Sequence, residues 1–394
     1  MRILFLINID MSMSGPSVHL LNDIIHSAKK HGHSVTRIEK KYGVNTWNIE
    51  TISDNNETIY RIECQKPGEL SNAKRYINDI VYARKCKLIA SKDAYDLVFI
   101  QSCNTAIFQT QWIKKLGCPI VYNVQDIFPL DIYYEGVINK KNPIYIVMDF
   151  LQKMAYKQSD RIITISEDMR ESLVAIGASR GKIDVIYNWA YEDEYRQEDY
   201  DYIFAEYFNN SKTNVVYAGN IGVAQNVETV ILAAQKLQDM ADVHFIIFGA
   251  GSRKEQCQRL ITKLNLKNLE MHDLVPQKYS QYVYKSADIN IVTLIPGIMR
   301  TSLPSKTAAC FNSGKRVIYC IEPESITLNR MMSASNRIFQ CAPGNPDDLA
   351  ARIVEICGKK KEDSNCGIMY TDIMQPQGPE EYITIFENMM HEGN

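Results

Sequence analysis

The sequence predicts an α/β protein made of two doubly wound parallel-sheet domains. Short apolar runs alternate with helix-like segments, which is typical of a parallel sheet with helices on both faces. The runs are almost continuously apolar, as expected for strands buried on both sides, and the whole pattern restarts near Asn188. With 394 residues, the chain is also longer than a single hydrophobic core usually serves.

The composition is that of a globular protein and excludes several classes of function. Hydrophobic residues make up 45% of the chain, charged residues 23%, and the formal net charge is −2. This balance argues against a dedicated nucleic-acid-binding protein. The 10 cysteines form no C-x-x-C pair and the 7 histidines lack metal-ligand spacing beside them, so we expect no disulfide framework and no structural metal site. Many reduced cysteines are typical of a cytoplasmic protein.

The N-terminal segment "MRILFLINIDM" starts like a signal peptide but is interpreted as a buried strand. Asn8 and Asp10 interrupt its apolar run, and no small-residue cleavage site follows. No apolar run approaches the length of a bilayer-spanning helix. Any action at a membrane is therefore expected to be peripheral.

The predicted N-terminal domain spans residues 1–188. Its first helix carries Val18, Leu21, Ile24 and Ile25 on one face and stops at Gly32. A second helix is predicted around "EDMRESLVAIG". The predicted strands lie at residues 2–8, 34–39, 95–102, 118–126, 161–166 and 183–188.

The predicted C-terminal domain spans residues 189–376. The polar, aromatic segment "YEDEYRQEDYDYIF" is interpreted as linker and surface. Strand-like runs end in glycine loops at "VVYAGNIG" and "FIIFGAGS", and "LEMHDLV", "ADINIVTL" and "RVIYC" are further strands. Residues 377–394 are predicted to contain a C-terminal helix that packs back on the N-terminal domain.

Glycine loops follow several predicted strands, at Gly15, at Gly219 and Gly222, and at Gly249 and Gly251. In open parallel sheets, ligands bind beyond the carboxyl ends of the strands, and tandem α/β domains are expected to leave a cleft there. Glycine lets backbone N–H groups approach a phosphate closely. The alternative is that these glycines serve helix packing. The "GAGSR" loop lacks the third glycine of a dinucleotide fingerprint, so NAD is not indicated.

The segment "TSLPSKTAACFNSGKRVIYC" adds a third feature to these loops. Pro304, Ser305 and Lys306 are predicted to start a helix, whose first backbone N–H groups favour anions. A lysine there suits a helix start that also binds an anion; the alternative is an ordinary capped helix with a solvated lysine. Together with the two glycine loops, it outlines one anionic-ligand site. Arg253 and Lys306 would supply positive charge, and Arg300 is a weaker candidate.

These motifs resemble glycosyltransferase family 4. The resemblance rests on "VVYAGNIGVAQNVETVILAAQKL", "FIIFGAGSRKEQ", "DLVPQKYSQYVYKSADINIVTL", "PSKTAACFNSGKRVI" and the N-terminal "GPSVHLLNDIIHSAKKHGHSVT". The segments "YNVQDIFPLDIYYEGVI" and "VIYNWAYEDEY" are similar to members that build bacterial O-antigen, capsule and exopolysaccharide repeats. The resemblance implies two Rossmann-like domains (the GT-B fold) and a nucleotide-sugar donor held mainly by the C-terminal domain. It further implies transfer with retention at the anomeric carbon, without a required metal or cofactor.

The sequence also departs from the family pattern. The two glutamates that many members carry near the donor correspond here to Thr301 and Ala309. The common arginine and lysine of the first glycine loop fall on Asn220 and Gln225, and a frequent histidine falls on Gln125. Lys306 is expected to take over part of the charge stabilisation on the diphosphate.

The chemistry implied by the resemblance assigns roles to several residues. Negative charge develops on the diphosphate as the sugar–phosphate bond breaks, and preorganised N–H groups and cations lower that barrier. The candidate catalytic residues are Lys306 and Asp126. Gln125 and Asp126 are the candidates on the acceptor side. Asp126 would orient the acceptor hydroxyl or assist as a base; the alternative is that it only caps a loop. The candidate donor-binding residues are Gly15, Asn220, Gly222, Gly249, Gly251, Arg253, Ser305, Lys306 and Thr307.

Two acidic triplets, "EDE" at 192–194 and "DYD" at 199–201, match the Asp-x-Asp spacing of metal-dependent transferases. Both fall in the polar linker, where a solvated loop is the better interpretation. No metal site is therefore predicted.

Two basic amphipathic helices are predicted in the N-terminal domain, at residues 72–92 and 139–157. Such surfaces suit anionic lipid headgroups, although ordinary surface helices are the alternative. The resemblance favours a polyprenyl-diphosphate-linked acceptor at the inner face of the bacterial membrane. It also favours a UDP-sugar donor, with an N-acetylated 6-deoxyhexosamine among the sugars considered.

Two other functions remain open from the sequence. UDP-sugar 2-epimerases share the two-domain fold but should show several carboxylates and histidines for proton transfer. A catalytically silent nucleotide-sugar-binding scaffold would explain the missing glutamate pair.

Overall fold

The computed structural model describes residues 1–13, 15–44, 46–54, 56–66, 70–191, 194–358, 370–374 and 378–392. The chain divides into two compact units, one formed by Met1–Tyr187 with Gln377–Asn394 and the other by Asn188–Pro376. Each unit is built around its own sheet, which is wholly or almost wholly parallel. The α/β class predicted from the alternation of strands and helices is therefore confirmed.

Unit 1 contains an eight-stranded sheet with the order β3-β4-β2-β1-β5-β6-β7-β8. All neighbouring strands are parallel except β3 and β4, which form an antiparallel hairpin. The central strands β5 and β6 are buried along their whole length, which explains their almost continuously apolar sequences. The two amides in them, Gln101 and Asn123, hydrogen-bond to each other. The strands are β1 Arg2–Asp10, β2 Ser34–Tyr42, β3 Ile49–Asp54, β4 Glu57–Cys64, β5 Leu97–Gln101, β6 Ile120–Val124, β7 Arg161–Thr164 and β8 Ile183–Val185.

The helices of unit 1 connect these strands, and one comes from the end of the chain. Helix α1 starts with Pro16 in its first turn, where the missing N–H of proline costs nothing. The helices are α1 Pro16–Lys30, α2 Asn72–Ala90, α3 Ala106–Leu116, α4 Leu130–Tyr134, α5 Pro143–Gln158, α6 Glu167–Ala175 and the final helix α15 Pro379–Glu392. In the part of the chain that the structure describes, no helix combines the length and apolarity needed to cross a membrane.

The final helix α15 packs against the sheet of unit 1. The Phe386 ring makes edge contacts with Phe5 at 6.5 Å and with Phe99 at 6.0 Å between ring centroids. The carboxylate of Glu387 lies 3.1 Å from Nε2 of His33, just beyond α1. The C-terminal segment is thus part of the hydrophobic core of unit 1.

Unit 2 contains a six-stranded parallel sheet with the order β11-β10-β9-β12-β13-β14. Strand β14 was not predicted from the sequence. The strands are β9 Thr213–Asn220, β10 Val243–Ala250, β11 Leu269–His272, β12 Ile289–Thr293, β13 Arg316–Cys320 and β14 Ile338–Cys341.

Helices surround this second sheet, and the first of them corrects a prediction. Residues 197–204 of the segment expected to be a polar linker lie in α7, so the "DYD" triplet is on a helix. Of the "EDE" triplet, only Glu194 falls within the described residues. Tyr200 and Phe204 stack within α7 at 5.9 Å, which gives this polar sequence an aromatic face. The helices are α7 Gln197–Tyr207, α8 Glu228–Lys236, α9 Lys254–Leu264, α10 Ser280–Ser286, α11 Thr307–Asn312, α12 Ile326–Ala334, α13 Pro346–Gly358 and α14 Tyr370–Met374.

Candidate functional site

The two glycine loops of unit 2 form one hydrogen-bonded structure at the carboxyl ends of β9 and β10. These strands pair in register, with Gly219 beside Gly249 and Asn220 beside Ala250. Beyond the strands, the N–H of Ile221 donates to the carbonyl of Ala250 at 2.8 Å. The two loops, predicted separately from the sequence, therefore lie together.

The loops approach each other so closely that glycine is required at two positions. Gly251 has a φ of +150°, and a Cβ there would lie 2.6 Å from Oδ1 of Asn220. A Cβ on Gly249 would lie 2.5 Å from the side chain of Ile221. The glycines at positions 249 and 251 are thus explained by close packing between the two loops.

Lys306 reaches the first glycine loop from a distant part of unit 2. Its Nζ lies 3.4 Å from the centroid of the Tyr217 ring. It also lies 3.1 Å from the position that a Cβ on Gly219 would occupy. The hydroxyl of Tyr217 in turn donates to the carbonyl of Asn220, so Tyr217 connects Lys306 to the loop.

The Lys306 ammonium group is buried without a polar partner. The residue is only 9% exposed, and Nζ has no hydrogen-bond partner among the residues that the structure describes. Burial lowers the pKa of this lysine to about 7, although the thiol of Cys310 pulls the pKa upward. The facing ring also favours the charged form, by up to about 2 kcal/mol for a desolvated pair. The result is a buried amine for which no described residue supplies an anion.

This burial corrects the interpretation of the "PSK" segment. Helix α11 begins at Thr307 with Lys306 as its N-cap, so Ser305 precedes the helix instead of starting it, and Ser305 is exposed. With six residues, α11 is too short to make its N-terminus a strong anion site. The alternative of a solvated lysine is also wrong. The neighbouring Thr307 hydroxyl is buried and has no hydrogen-bond partner in the described part of the chain.

The second predicted cation, Arg253, is already paired. Its Nη2 lies 2.7 Å and its Nε 3.1 Å from Oε1 of Glu228, at the start of α8. The Arg253 backbone N–H donates to the carbonyl of Ile221 at 2.9 Å. In this arrangement, Arg253 ties the glycine loops to α8. The weaker candidate Arg300 lies exposed in the short helix Ile298–Arg300.

The side chain of Gln225 accepts a hydrogen bond from a backbone N–H of the first glycine loop. Its Oε1 accepts from the N–H of Gly222 at 3.1 Å and from Nδ2 of Asn220 at 3.0 Å. The two residues that replace the basic pair of the family thus bond to each other. A phosphate could use the Gly222 N–H only if the Gln225 side chain moved away.

The positions where the family carries glutamates have other roles here. Thr301 is fully buried, and its hydroxyl donates to the carbonyl of Ile298 at 3.0 Å. Ala309 lies in α11 and has no polar side chain. Neither position supplies a carboxylate.

The remaining candidates belong to unit 1. Gly15 caps α1 in an extended conformation, and a Cβ there would meet no atom within 4 Å. Gln125 follows β6 and donates from Nε2 to Oδ1 of Asn123 at 3.2 Å. Asp126, the next residue, is exposed.

Asp126 neighbours two other carboxyl groups, on and just after α4. Burial raises the pKa of Asp131 to about 7, and the negative charge of Asp126 adds to that rise. Burial also raises the pKa of Glu135, again with a contribution from Asp126. Sequence reasoning selected Asp126 alone because the relation to Asp131 depends on the turn into α4. Within the described residues, no group of three or more His, Cys, Asp or Glu side chains is arranged to hold a metal ion.

Sequence reasoning missed three residues of the unit 2 site: Tyr217, Gln225 and Glu228. Gln225 was noted only as a departure from the family pattern, and Tyr217 reads as an ordinary strand residue two positions before Gly219. Glu228 reads as a favourable acidic residue in the first turn of a helix. Their roles emerge only from contacts across the loops.

Two parallel-sheet units with glycine loops at strand ends in the second are features of GT-B glycosyltransferases, and the family comparisons agree. The model described as Glycosyltransferase Family 4 matches residues 17–193, and that described as Glycosyl transferases group 1 matches residues 200–295. Together they cover more than half of the chain. The chain is therefore a glycosyltransferase in which a family 4 domain is followed by a group 1 domain.

Two curated bacterial proteins are related to the chain. The probable glycosyltransferase WbjE of Pseudomonas aeruginosa is 24% identical over 273 residues, which are 68% of this chain and 67% of that protein. The putative colanic acid biosynthesis glycosyl transferase WcaI of Escherichia coli K12 is 24% identical over 191 residues. That second match spans 42% of this chain and 47% of WcaI, about half of its length.

Solved structures share the fold over nearly the whole chain. HepE of Anabaena in complex with UDP superposes with a TM-score of 0.66 at 14% identity, covering 100% of this chain and 99% of that chain. The Escherichia coli trehalose-6-phosphate structure bound with UDP-2-fluoro glucose gives a TM-score of 0.73 at 12% identity, with coverages of 98% and 99%. At these identities, the likeness shows the GT-B fold.

Proposed function

We propose that this glycosyltransferase moves a sugar from a UDP-sugar to a polyprenyl-diphosphate-linked acceptor during bacterial surface polysaccharide synthesis. The observation that carries the proposal is the Nζ of Lys306, which is buried above Gly219 and has no hydrogen-bond partner among the residues that the structure describes. Charging a buried lysine without an anion is costly, and an anionic ligand such as a diphosphate would supply the missing partner. The name of the related WcaI, which refers to colanic acid biosynthesis, supports the polysaccharide context.

The donor diphosphate is proposed to lie against Lys306 and the first glycine loop. As the sugar–phosphate bond breaks, the electron pair passes to the leaving phosphate oxygen, and the Lys306 ammonium stabilises that charge without a metal ion. The Thr307 hydroxyl and the Gly222 N–H are the proposed further donors. UDP is chosen as the nucleotide because HepE, which shares the fold, binds UDP.

Retention at the anomeric carbon is proposed to follow because the acceptor oxygen attacks the same face of the sugar from which the leaving group departs. The acceptor oxygen bonds to the anomeric carbon, and its proton passes to the leaving phosphate oxygen. Asp126 is proposed to orient the acceptor hydroxyl by accepting a hydrogen bond from it.

The proposal is tested by measuring UDP release from a panel of UDP-sugars, with and without polyprenyl-diphosphate-linked saccharides. We expect UDP release that requires the acceptor, persists in a metal chelator and falls strongly in Lys306→Met. Asp126→Asn should lower the turnover rate more than the donor affinity. Conversion of a free UDP-sugar without acceptor would indicate an epimerase instead, and UDP-sugar binding without any turnover would indicate a scaffold.

The acceptor also sets the proposed location of the protein. A polyprenyl-diphosphate carrier lies in the membrane, so we place the enzyme peripherally on the inner face of the bacterial membrane. Cofractionation with inner-membrane vesicles, reversed by high salt, is the expected behaviour.

A further inference from the structure

A cationic groove runs between α2 and α3 in unit 1. The groove has a volume of about 150 Å³ and is lined by Arg84 and Lys87 from α2 and Lys115 from α3. All three cations are exposed. None of them forms a hydrogen bond or ion pair through its side chain with any residue that the structure describes. The adjacent Lys114, by contrast, is paired with Asp160 at 2.8 Å.

A buried hydrogen-bond donor also lines this groove. Trp112 is 5% exposed, and its indole Nε1 has no partner in the described part of the chain. Indole nitrogens usually find an acceptor when they are buried, since an unsatisfied donor costs about 1–3 kcal/mol. Among the described residues, the groove therefore combines three cations and one indole donor that have no partner, and its lining includes no carboxylate.

Helix geometry brings these side chains together. Ile80, Arg84 and Lys87 are spaced by four and three residues, so they share one face of α2. Phe108, Trp112 and Lys115 share one face of α3 in the same way. The sequence analysis selected the cations of α2 but not those of α3, because only the packed pair of helices forms the groove.

We propose that this groove binds a phosphate group, and that the phosphate belongs to the headgroup of an anionic lipid. Arginine and two lysines provide the charge and the multiple donors that phosphate oxygens accept from. Ile80 and Phe108 provide an apolar wall. Large apolar side chains are exposed next to the groove cations, with Leu88 at 63% and Leu116 at 48%, and they suit the acyl region of a bilayer. This lipid assignment extends the membrane location that rests on the proposed function, whereas the phosphate site stands on the groove residues themselves.

The test uses the full-length chain carrying Trp47→Phe and Trp189→Phe, so that Trp112 is the remaining tryptophan of the three. Binding is followed through its fluorescence with phosphatidylglycerol vesicles, phosphatidylcholine vesicles, inorganic phosphate and pyrophosphate. The groove variant Arg84→Gln/Lys115→Gln is compared with Lys74→Gln/Lys92→Gln, which removes the same charge from exposed positions outside the groove lining. Trp112→Phe, followed by vesicle sedimentation, tests the indole donor.

We expect the groove variant to weaken binding to phosphatidylglycerol vesicles at least about tenfold and the control variant to weaken it less than about threefold. Saturable quenching by inorganic phosphate or pyrophosphate without vesicle binding would keep the phosphate site and assign it to a free phosphate. Equal losses in the two charge variants, or no binding to any of the probes, would overturn the proposal. Stabilisation by UDP should be unchanged in the groove variant, so a failure of the UDP site and a failure of the groove are distinguishable.

Discussion

The Nζ of Lys306 lies 3.4 Å from the centroid of the Tyr217 ring, although the two residues are far apart in the sequence. The ring holds the ammonium group beside Gly219, at the carboxyl end of β9. No described side chain offers it a hydrogen bond. This pair defines the centre of the proposed diphosphate site, and the predictions below depend on it.

Gly219→Ala should weaken UDP binding at least about tenfold while preserving the fold. The new Cβ would lie 3.1 Å from Nζ and 3.2 Å from Cε of Lys306, so the lysine must move. Combined with Lys306→Met, it should add little further loss, because the two residues act as a unit. The measurement is UDP affinity by calorimetry.

The control for this prediction is Gly117→Ala in unit 1. Gly117 also has a positive φ, of +74°, but a Cβ there would meet nothing within 4 Å. It therefore reports the general cost of a positive φ on stability. If Gly219→Ala and Gly117→Ala both leave UDP affinity unchanged, the close contact of Gly219 with Lys306 has no role in binding.

Gln225→Glu should weaken UDP binding about tenfold. A carboxylate at this position would hold the Gly222 N–H more tightly than the amide does and would repel the diphosphate. Gln238→Glu makes the same charge change at an exposed position beyond α8 and should have little effect. Equal affinities for the Gln225 variant and the parent protein would remove Gly222 from the proposed site.

Glu228→Gln should strengthen UDP binding a few-fold if Arg253 is a phosphate ligand. The substitution neutralises the partner that now holds the guanidinium at 2.7 Å, and so leaves Arg253 available to an anion. Thermal unfolding of the same variant reports the structural role of the pair. A lower unfolding temperature with unchanged UDP affinity would mean that Arg253 only ties the loops to α8.

UDP affinity should fall as the pH rises from 7 to 9. Burial lowers the pKa of Lys306 to about 7, so the free protein progressively loses the ammonium proton above that pH, whereas bound diphosphate requires it. Binding in this range must then take up a proton, at a cost of up to about tenfold per pH unit. The second phosphate ionisation of UDP, near pH 6, is complete there.

Lys306→Arg is the matched variant for this pH dependence. A guanidinium stays charged at pH 9, so its UDP affinity should be flat between pH 7 and 9. Calorimetry in two buffers with different ionisation enthalpies measures the proton uptake directly. The same slope in both proteins would assign the titration to another group.

Most strands and helices of both units could be predicted from the sequence. Strands such as β5 and β6 are apolar on both faces, and that signal is local. The hairpin partner β3 is exposed along its whole length, so it has no apolar alternation by which a strand could be recognised. Helix α7 was missed because its aromatic residues are spread among acidic ones, and the packing of Tyr202 on Tyr279 is a long-range contact.

The chemistry of the site was less accessible than its location. Glycine loops at strand ends can be recognised in a single sequence, and in the structure the two predicted loops and Lys306 of "PSK" lie together in unit 2. The burial and the hydrogen-bond partners of each side chain could not be predicted from the sequence. The burial of Lys306 depends on a ring contributed by β9, and the pairing of Arg253 depends on a carboxylate 25 residues earlier. Such contacts are set by tertiary packing and not by local sequence.

The most direct test of the account is the thermal stabilisation of the protein by UDP, compared between the parent chain and Lys306→Met at pH 7 without added metal. A ligand that binds only the folded state raises its stability according to concentration over affinity. We expect UDP to stabilise the parent protein and Lys306→Met to lose about 2 kcal/mol of binding, a factor of roughly thirty in affinity. Lys267→Met, an exposed position in the same unit, should keep the parent response. Equal stabilisation of the parent and Lys306→Met would contradict the assignment of Lys306 as the diphosphate ligand.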